Sequence, residues 1–189
     1  MTLTELREAV RAHIQQTWPD EATTLVKWEL GRNVAELPDL VSVRIFTGRN
    51  GYAYVSLGVH ELETASGHVE FVLLSPRMDD GLVEILAMMS SFARDFPERI
   101  FQGGGVRIGR PWLPGSNAQH LLITKPYPIG YDFEHLEVDG SHIRFFWLLP
   151  ILDDEYALLR EHDGYERLEL EFEAKAINFL DPNRSSVLS

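Results

Sequence analysis

The sequence predicts an α+β fold, a mixed and largely antiparallel sheet packed by helices, on three observations. Short β-rich runs bounded by Gly, Pro, Asn and Asp recur along the chain and read as strands. Two of them, Val41 to Phe46 and Tyr52 to Leu57, face each other across Asn50-Gly51, a two-residue hairpin signal. The order is strands, then one helix, more strands and more helices, which is the α+β pattern rather than a βαβ repeat.

The elements follow in order. Leu3, Leu6, Val10 and Ile14 recur at helical spacing over Thr2 to Gln16, Thr2 with Glu5 forms a capping box, and Trp18-Pro19 ends the helix. Leu25 to Leu30 and Val41 to Phe46 alternate as strands, with Gly31 to Asp39 a loop between them. Gly67 to Ser75 is a strand with Val69, Phe71 and Leu73 on one face. Asp79 or Asp80 caps a second helix whose stripe of Leu82, Ile85, Leu86, Met89, Phe92, Ala93 and Phe96 should bury on the sheet, until Pro97 stops it. Met88 and Met89 belong to core packing.

Val106 to Ile108, Leu121 to Ile123 and Ile143 to Leu149 resume the sheet. A third helix starts at Asp153 and Asp154, runs through Tyr156, Leu158 and Leu159, and breaks at Asp163-Gly164. Tyr165 to Ala176 fits two periods: Leu168, Leu170 and Phe172 alternate like a strand, while Tyr165, Leu168 and Phe172 share a helix face. Its length and its Glu, Leu, Arg and Ala content favour helix. A tail begins at Asp181-Pro182.

At 189 residues the chain reads as one domain, residues 1–189, with an ordinary globular content of 44% hydrophobic and 24% charged residues. A net charge of −12 disfavours wrapping nucleic acid and suits a basic protein partner. The absence of cysteine removes disulfides, thiolate catalysis and thiolate metal sites, and fits a reducing compartment. The N-terminus shows no secretory pattern, and Phe145 to Leu152 is too short to span a bilayer, so a soluble cytoplasmic protein is expected.

Candidate chemistry is sparse. The run Gly103 to Gly109 lies after a helix and before Pro111-Trp112, the reverse of a phosphate-binding loop, and reads as a turn into a strand. Ser116 lacks the flanking glycines of a nucleophile elbow. The seven histidines show no paired-helix ligand spacing; His135 and His142 flank a turn, and His120 reads as a strand-edge residue. Glu166, Glu169, Glu171 and Glu173 form a solvated helix face, and Arg94, Arg99, Arg107 and Arg110 pair with nearby acids. What remains is a set of large rings on Pro-bounded loops, Trp112, Tyr127, Tyr131 and Phe133, a composition suited to gripping a partner.

Several segments in one shared order resemble the suppressor of fused domain in its bacterial single-domain form. They are Tyr54 to Gly58 (YVSLG), Glu70 to Ser75 (EFVLLS), Glu84 to Ala87, Pro111 to Ser116, Leu121 to Thr124, Tyr127-Pro128, Phe145 to Pro150, and Asp181-Pro182 with Arg184. The likeness is clearest over residues 52–187. It implies a non-enzymatic α+β binding domain. Eukaryotic members add a second domain and clasp an extended peptide of a transcription factor, whereas the bacterial relatives resemble immunity proteins that neutralise polymorphic toxins. The resemblance also implies that Tyr54 occupies a ligand-side position, and that Gly104 stands where the eukaryotic domain carries an acid.

The leading expectation is therefore an immunity-type protein, without metal or cofactor, that blocks a toxin or holds an extended peptide through a sheet edge and Tyr54, Trp112, Tyr127, Tyr131 and Phe133. The competing one is a small hydrolase, or a metal- or ligand-binding enzyme, with its pocket near Trp112 and His120.

Overall fold

The computed structural model describes residues 2–29, 40–48 and 51–189. Eight strands form one sheet in the order β1-β2-β3-β4-β8-β6-β5, with β7 pairing separately to β8. The strands are β1 (Thr23–Val26), β2 (Val41–Phe46), β3 (Tyr52–Leu57), β4 (His68–Ser75), β5 (Gly105–Arg107), β6 (His120–Thr124), β7 (His135–Val138) and β8 (Ser141–Ile151). The β4–β8 pair is parallel and every other described pair is antiparallel, so the sheet is mixed and largely antiparallel as the sequence predicts.

The first helix, α1 (Leu3–Thr17), opens on the expected capping box: Glu5 N–H donates to Thr2 Oγ1 (3.2 Å) and Thr2 N–H to Glu5 Oε2 (2.7 Å). Leu6, Val10 and Ile14 bury, while Leu3 stays exposed in the first turn. β1 differs from its expected span of Leu25 to Leu30. It pairs with β2 from Thr23↔Ile45 to Val26↔Ser42, so the partner strand sets its register, not its own alternation. Leu30 and the loop expected over Gly31 to Asp39 lie outside the described residues.

β2 and β3 form the expected hairpin, in the register Phe46↔Tyr52. It closes on Thr47 N–H to Gly51 O (2.8 Å), wider than the two-residue turn expected from Asn50-Gly51; Asn50 lies outside the described residues. Gly51 has φ +81°, and a Cβ there would fall 2.1 Å from the Ser75 carbonyl oxygen, so only glycine fits where β4 ends against the turn.

The second helix, α2 (Gly81–Asp95), packs Leu82, Ile85, Leu86, Met89 and Ala93 of its expected stripe on the sheet, with Phe92 partly buried. Phe96, just past the helix end, is left half exposed. Asp79 Oδ1 accepts from Gly81 N–H (2.9 Å), while the Asp80 carboxylate turns outward to Arg44 (3.0 Å). The short α3 (Tyr131–Glu134) and β7 were not expected as elements, although the turn between His135 and His142 was; Asp139-Gly140, both at positive φ, forms it. The last two helices are α4 (Asp153–Leu159) and α5 (Gly164–Lys175). The ambiguous Tyr165 to Ala176 stretch resolves as helix, with Leu168 and Phe172 buried on one side.

Alternation along β8 divides the core. Ile143, Phe145, Trp147, Leu149 and Ile151 join the layer under α1, α4 and α5, whereas Phe146 and Leu148 join the layer under α2. Pro150 is tolerated in this inner strand because it lies past the last β4 pair, Val72↔Trp147, where β8 has no ladder on that side. The tail is fixed to the first of these layers. Arg184 makes a bidentate pair with the fully buried Glu155 (2.6 Å for each bond), and Val187 N–H donates to the same carboxylate (3.1 Å).

Candidate functional site: an acid-rimmed aromatic cavity

Between α5, the Tyr127 loop and the end of β8 lies an open cavity of about 740 Å³. Its floor is apolar: Trp147 and Leu149 from β8, Phe172 and Leu170 from α5, and Ile177 and Phe179 from the chain leaving α5. Trp147 and Phe179 meet edge to face, with ring centroids 4.9 Å apart. Steps of three and four along α5 place Glu166, Glu169 and Glu173 on the same helix stripe, and all three line the cavity. A second cavity of about 440 Å³ shares Ile177 and Phe179 with the first and runs along Trp18, Pro128, Ile129 and Leu180.

A hydrogen-bonded cluster closes one end of the larger cavity. Gln102 donates to the Tyr165 hydroxyl (2.9 Å), which meets Thr124 Oγ1 (3.0 Å); Thr124 donates to Glu169 Oε1 (3.1 Å), and the Tyr127 hydroxyl donates to Glu169 Oε2. Burial, and then the hydrogen bond to Glu169, raise the pKa of Tyr127. Burial also raises that of Tyr165. Both phenols therefore stay protonated as donors at neutral pH. Trp147 lines the same cavity, and its buried indole N–H has no acceptor among the described residues.

The predicted ring set does not assemble as one exposed patch. Tyr127 (53% exposed) and Tyr131 (75% exposed) do face solvent. Trp112 (2% exposed), on the β5–β6 loop, is instead folded into the α2 layer, its main-chain N–H donating to Ala118 O (3.0 Å). Phe133 is buried in the opposite layer, stacked near His13 and edge-on to Trp18. Tyr54 is fully buried, its hydroxyl accepting from Asp79 N–H (2.9 Å) at the start of α2, and burial raises its pKa. The physical reason is shared: a large ring on a loop buries itself wherever a core surface lies within reach. At Gly104 a Cβ would sit 2.9 Å from Phe101 O and 3.1 Å from Arg99 O, so the turn has no space for any larger side chain there.

The enzyme alternative loses its expected geometry. Trp112 belongs to the α2 layer, while His120 stacks on Tyr156 (4.1 Å between centroids), which packs on the opposite layer, and bonds Asp153 (2.9 Å). Ser56, Glu70 and His60 do meet, but Ser56 and His60 both bond the same Glu70 carboxylate, and all three are fully buried. That cluster fastens the Gly58 turn, whose N–H also donates to Glu70 (2.8 Å). His135 Nδ1 lies 3.0 Å from His142 Nε2 across the β7–β8 hairpin, and no group of three or more His, Cys, Asp or Glu able to hold a metal occurs among the described residues. Nor is any helix among them long and apolar enough to cross a membrane.

The sequence reading missed Trp147, Tyr165, Phe179 and the cavity-facing role of the α5 glutamates. A signal was present: glutamates at 166, 169 and 173 share a helix stripe with the rings of Tyr165 and Phe172, an acidic face that also carries aromatics.

Comparison with known proteins gives a consistent result. The family model for suppressor of fused protein matches residues 38–185. The crystal structure of a suppressor of fused homologue from Neisseria gonorrhoeae is 35% identical, with 97% of each chain covered and a TM-score of 0.85. Two more distant structures share the fold at 13% identity. In the Sufu–Fu complex the match covers 96% of this chain and 91% of the other, with a TM-score of 0.72. In Drosophila Suppressor of Fused it covers 96% of this chain and 51% of the other, at 0.67. No curated protein matches the sequence.

Proposed function

This chain belongs to the suppressor of fused family, and from that premise we propose that residues 1–189 form a single non-enzymatic protein-binding domain of immunity type. It holds a toxin partner and blocks it by occupancy. A fold relative is seen in the Sufu–Fu complex, which supports protein binding as the use of this scaffold.

The observation that carries the reading is the cavity beside Tyr127. Its carboxylates all stand on one wall, on α5, facing aromatic and aliphatic side chains. Two-carboxylate hydrolysis needs acids flanking the scissile bond from both sides, so this arrangement suits docking rather than bond cleavage. Tyr127 adds an exposed amphipathic ring to the cavity lining. The net charge of −12 speeds encounter with a basic toxin domain.

The test is co-expression of this chain with the products of its neighbouring genes, followed by purification and a toxicity assay. A stoichiometric complex that relieves toxicity is the expected result. If no neighbour is toxic and no stoichiometric partner is recovered, the immunity reading fails.

A further inference from the structure

We propose that the α5 cavity receives an apolar protein segment flanked by arginine, the apolar side chains filling the floor and the guanidinium lying among Glu166, Glu169 and Glu173. This deepens the protein-binding reading above and rests on it. Two independent features define the occupant.

Volume and lining come first. About 740 Å³ over Trp147, Leu149, Phe172 and Phe179 is room for two or three apolar side chains of a partner. Second is charge. Among the described residues neither Glu166 nor Glu173 has an ion-pair partner, although Glu84 on α2 is paired with Arg110, and Glu161 in the turn before α5 with Arg167. Glu169 is held by Thr124 and Tyr127, which fixes the carboxylate stripe in place before any partner arrives. A planar guanidinium suits this rim better than an ammonium, because it can stack on the aromatic wall while donating to more than one carboxylate.

The two features belong to one occupant. A lone cation would leave the apolar floor of Trp147, Leu149 and Phe172 unfilled, so the occupant carries apolar side chains over the floor together with a guanidinium at the rim.

The experiment uses the full chain and a synthetic peptide, acetyl-Arg-Leu-Phe-Arg-amide, with calorimetry as the readout. Matched peptides carry citrulline, which keeps the shape and loses the charge, or glutamate in place of arginine. The arginine peptide should bind, the citrulline peptide about tenfold more weakly, and the glutamate peptide not measurably. The Glu166→Gln/Glu173→Gln double variant alters two exposed side chains and leaves the Glu169 network intact; it should remove the difference between arginine and citrulline.

Equal binding of arginine and citrulline peptides, no binding of either, or a double variant that still discriminates would overturn the inference. The two readings separate cleanly. A toxin complex of unchanged affinity with the double variant removes the cavity assignment and leaves protein binding standing. Loss of every partner complex alongside retained peptide discrimination does the reverse.

Discussion

The two faces of the sheet carry similar densities of aromatic and aliphatic residues but are covered in different ways. Over one face, α2 lies with its stripe from Leu82 to Ala93 against β3, β4, β6 and β8, and the β5–β6 loop folds over more of it with Trp112 and Leu113. Arg110 ties that loop to α2 through Gly81 O (2.8 Å) and Glu84 (2.8 Å), and Arg77 ties it back through Pro114 O (2.9 Å). Among the described residues that face is covered by one helix and one loop. The other face is shared among α1, α4, α5 and the tail, and no single helix spans it. Between α5 and the Tyr127 loop the cover is incomplete, and there the cavity opens. The difference teaches that binding capacity here comes from how cover is divided among elements, not from how many rings a segment contains.

The largest effect expected from this contrast is on the α2 side. Trp112→Ala should cost about 3–5 kcal/mol, the range for deleting a buried aromatic, in urea unfolding. Tyr131→Ala, at a ring that is 75% exposed, should cost under about 0.5 kcal/mol. Comparable losses for the two would erase the distinction between a packed ring and a presented one.

Next comes the clamp that shapes the open face. Arg184→Met leaves the Glu155 carboxylate buried without its partner, so a loss of about 3 kcal/mol is expected. Hydrogen exchange should accelerate at Val187 N–H, which donates to Glu155, while amides of α2 stay protected relative to their own global limit. Exchange that rises equally on both faces would show that the tail is not an independent fastening of the open one.

The smallest effect is alkaline. The folded pKa of Tyr127 lies above its ordinary value of 10.0, so the unfolded chain ionises first. Stability from this group is complete below about pH 10 and falls as pH rises further, because the unfolded state then binds fewer protons than the folded one. Tyr127→Phe should flatten the alkaline limb of a stability-against-pH curve. An unchanged slope would mean that the Tyr127–Glu169 bond does not persist in solution.

Much of the fold was legible because its signals are local. The Thr2–Glu5 box, the α2 stripe and the alternation of Val69, Phe71 and Leu73 each fix an element from within a few residues, and the order of elements carries the α+β class. The span of β1 was not legible, since its register is dictated by β2 through the pairing of Thr23 with Ile45. The helical state of Tyr165 to Ala176 was only favoured by composition, until Leu168 and Phe172 found a sheet to pack on. At the site, Tyr127 and Tyr131 kept the exposure their loop suggested. Trp112 and Phe133 did not, because each loop folds back onto a core that lies far away in sequence.

The sequence by itself determined most of the elements, the mixed sheet, the acidic balance and the family likeness, since spacing and composition act over short range and survive without neighbours. Tertiary structure alone decided the span of β1, the short α3 and β7, which rings are presented, and that Glu166, Glu169 and Glu173 rim a cavity floored by Trp147. Those properties depend on which faces meet and which are left uncovered. That is a matter of packing between segments distant along the chain, where burial of one ring excludes its exposure.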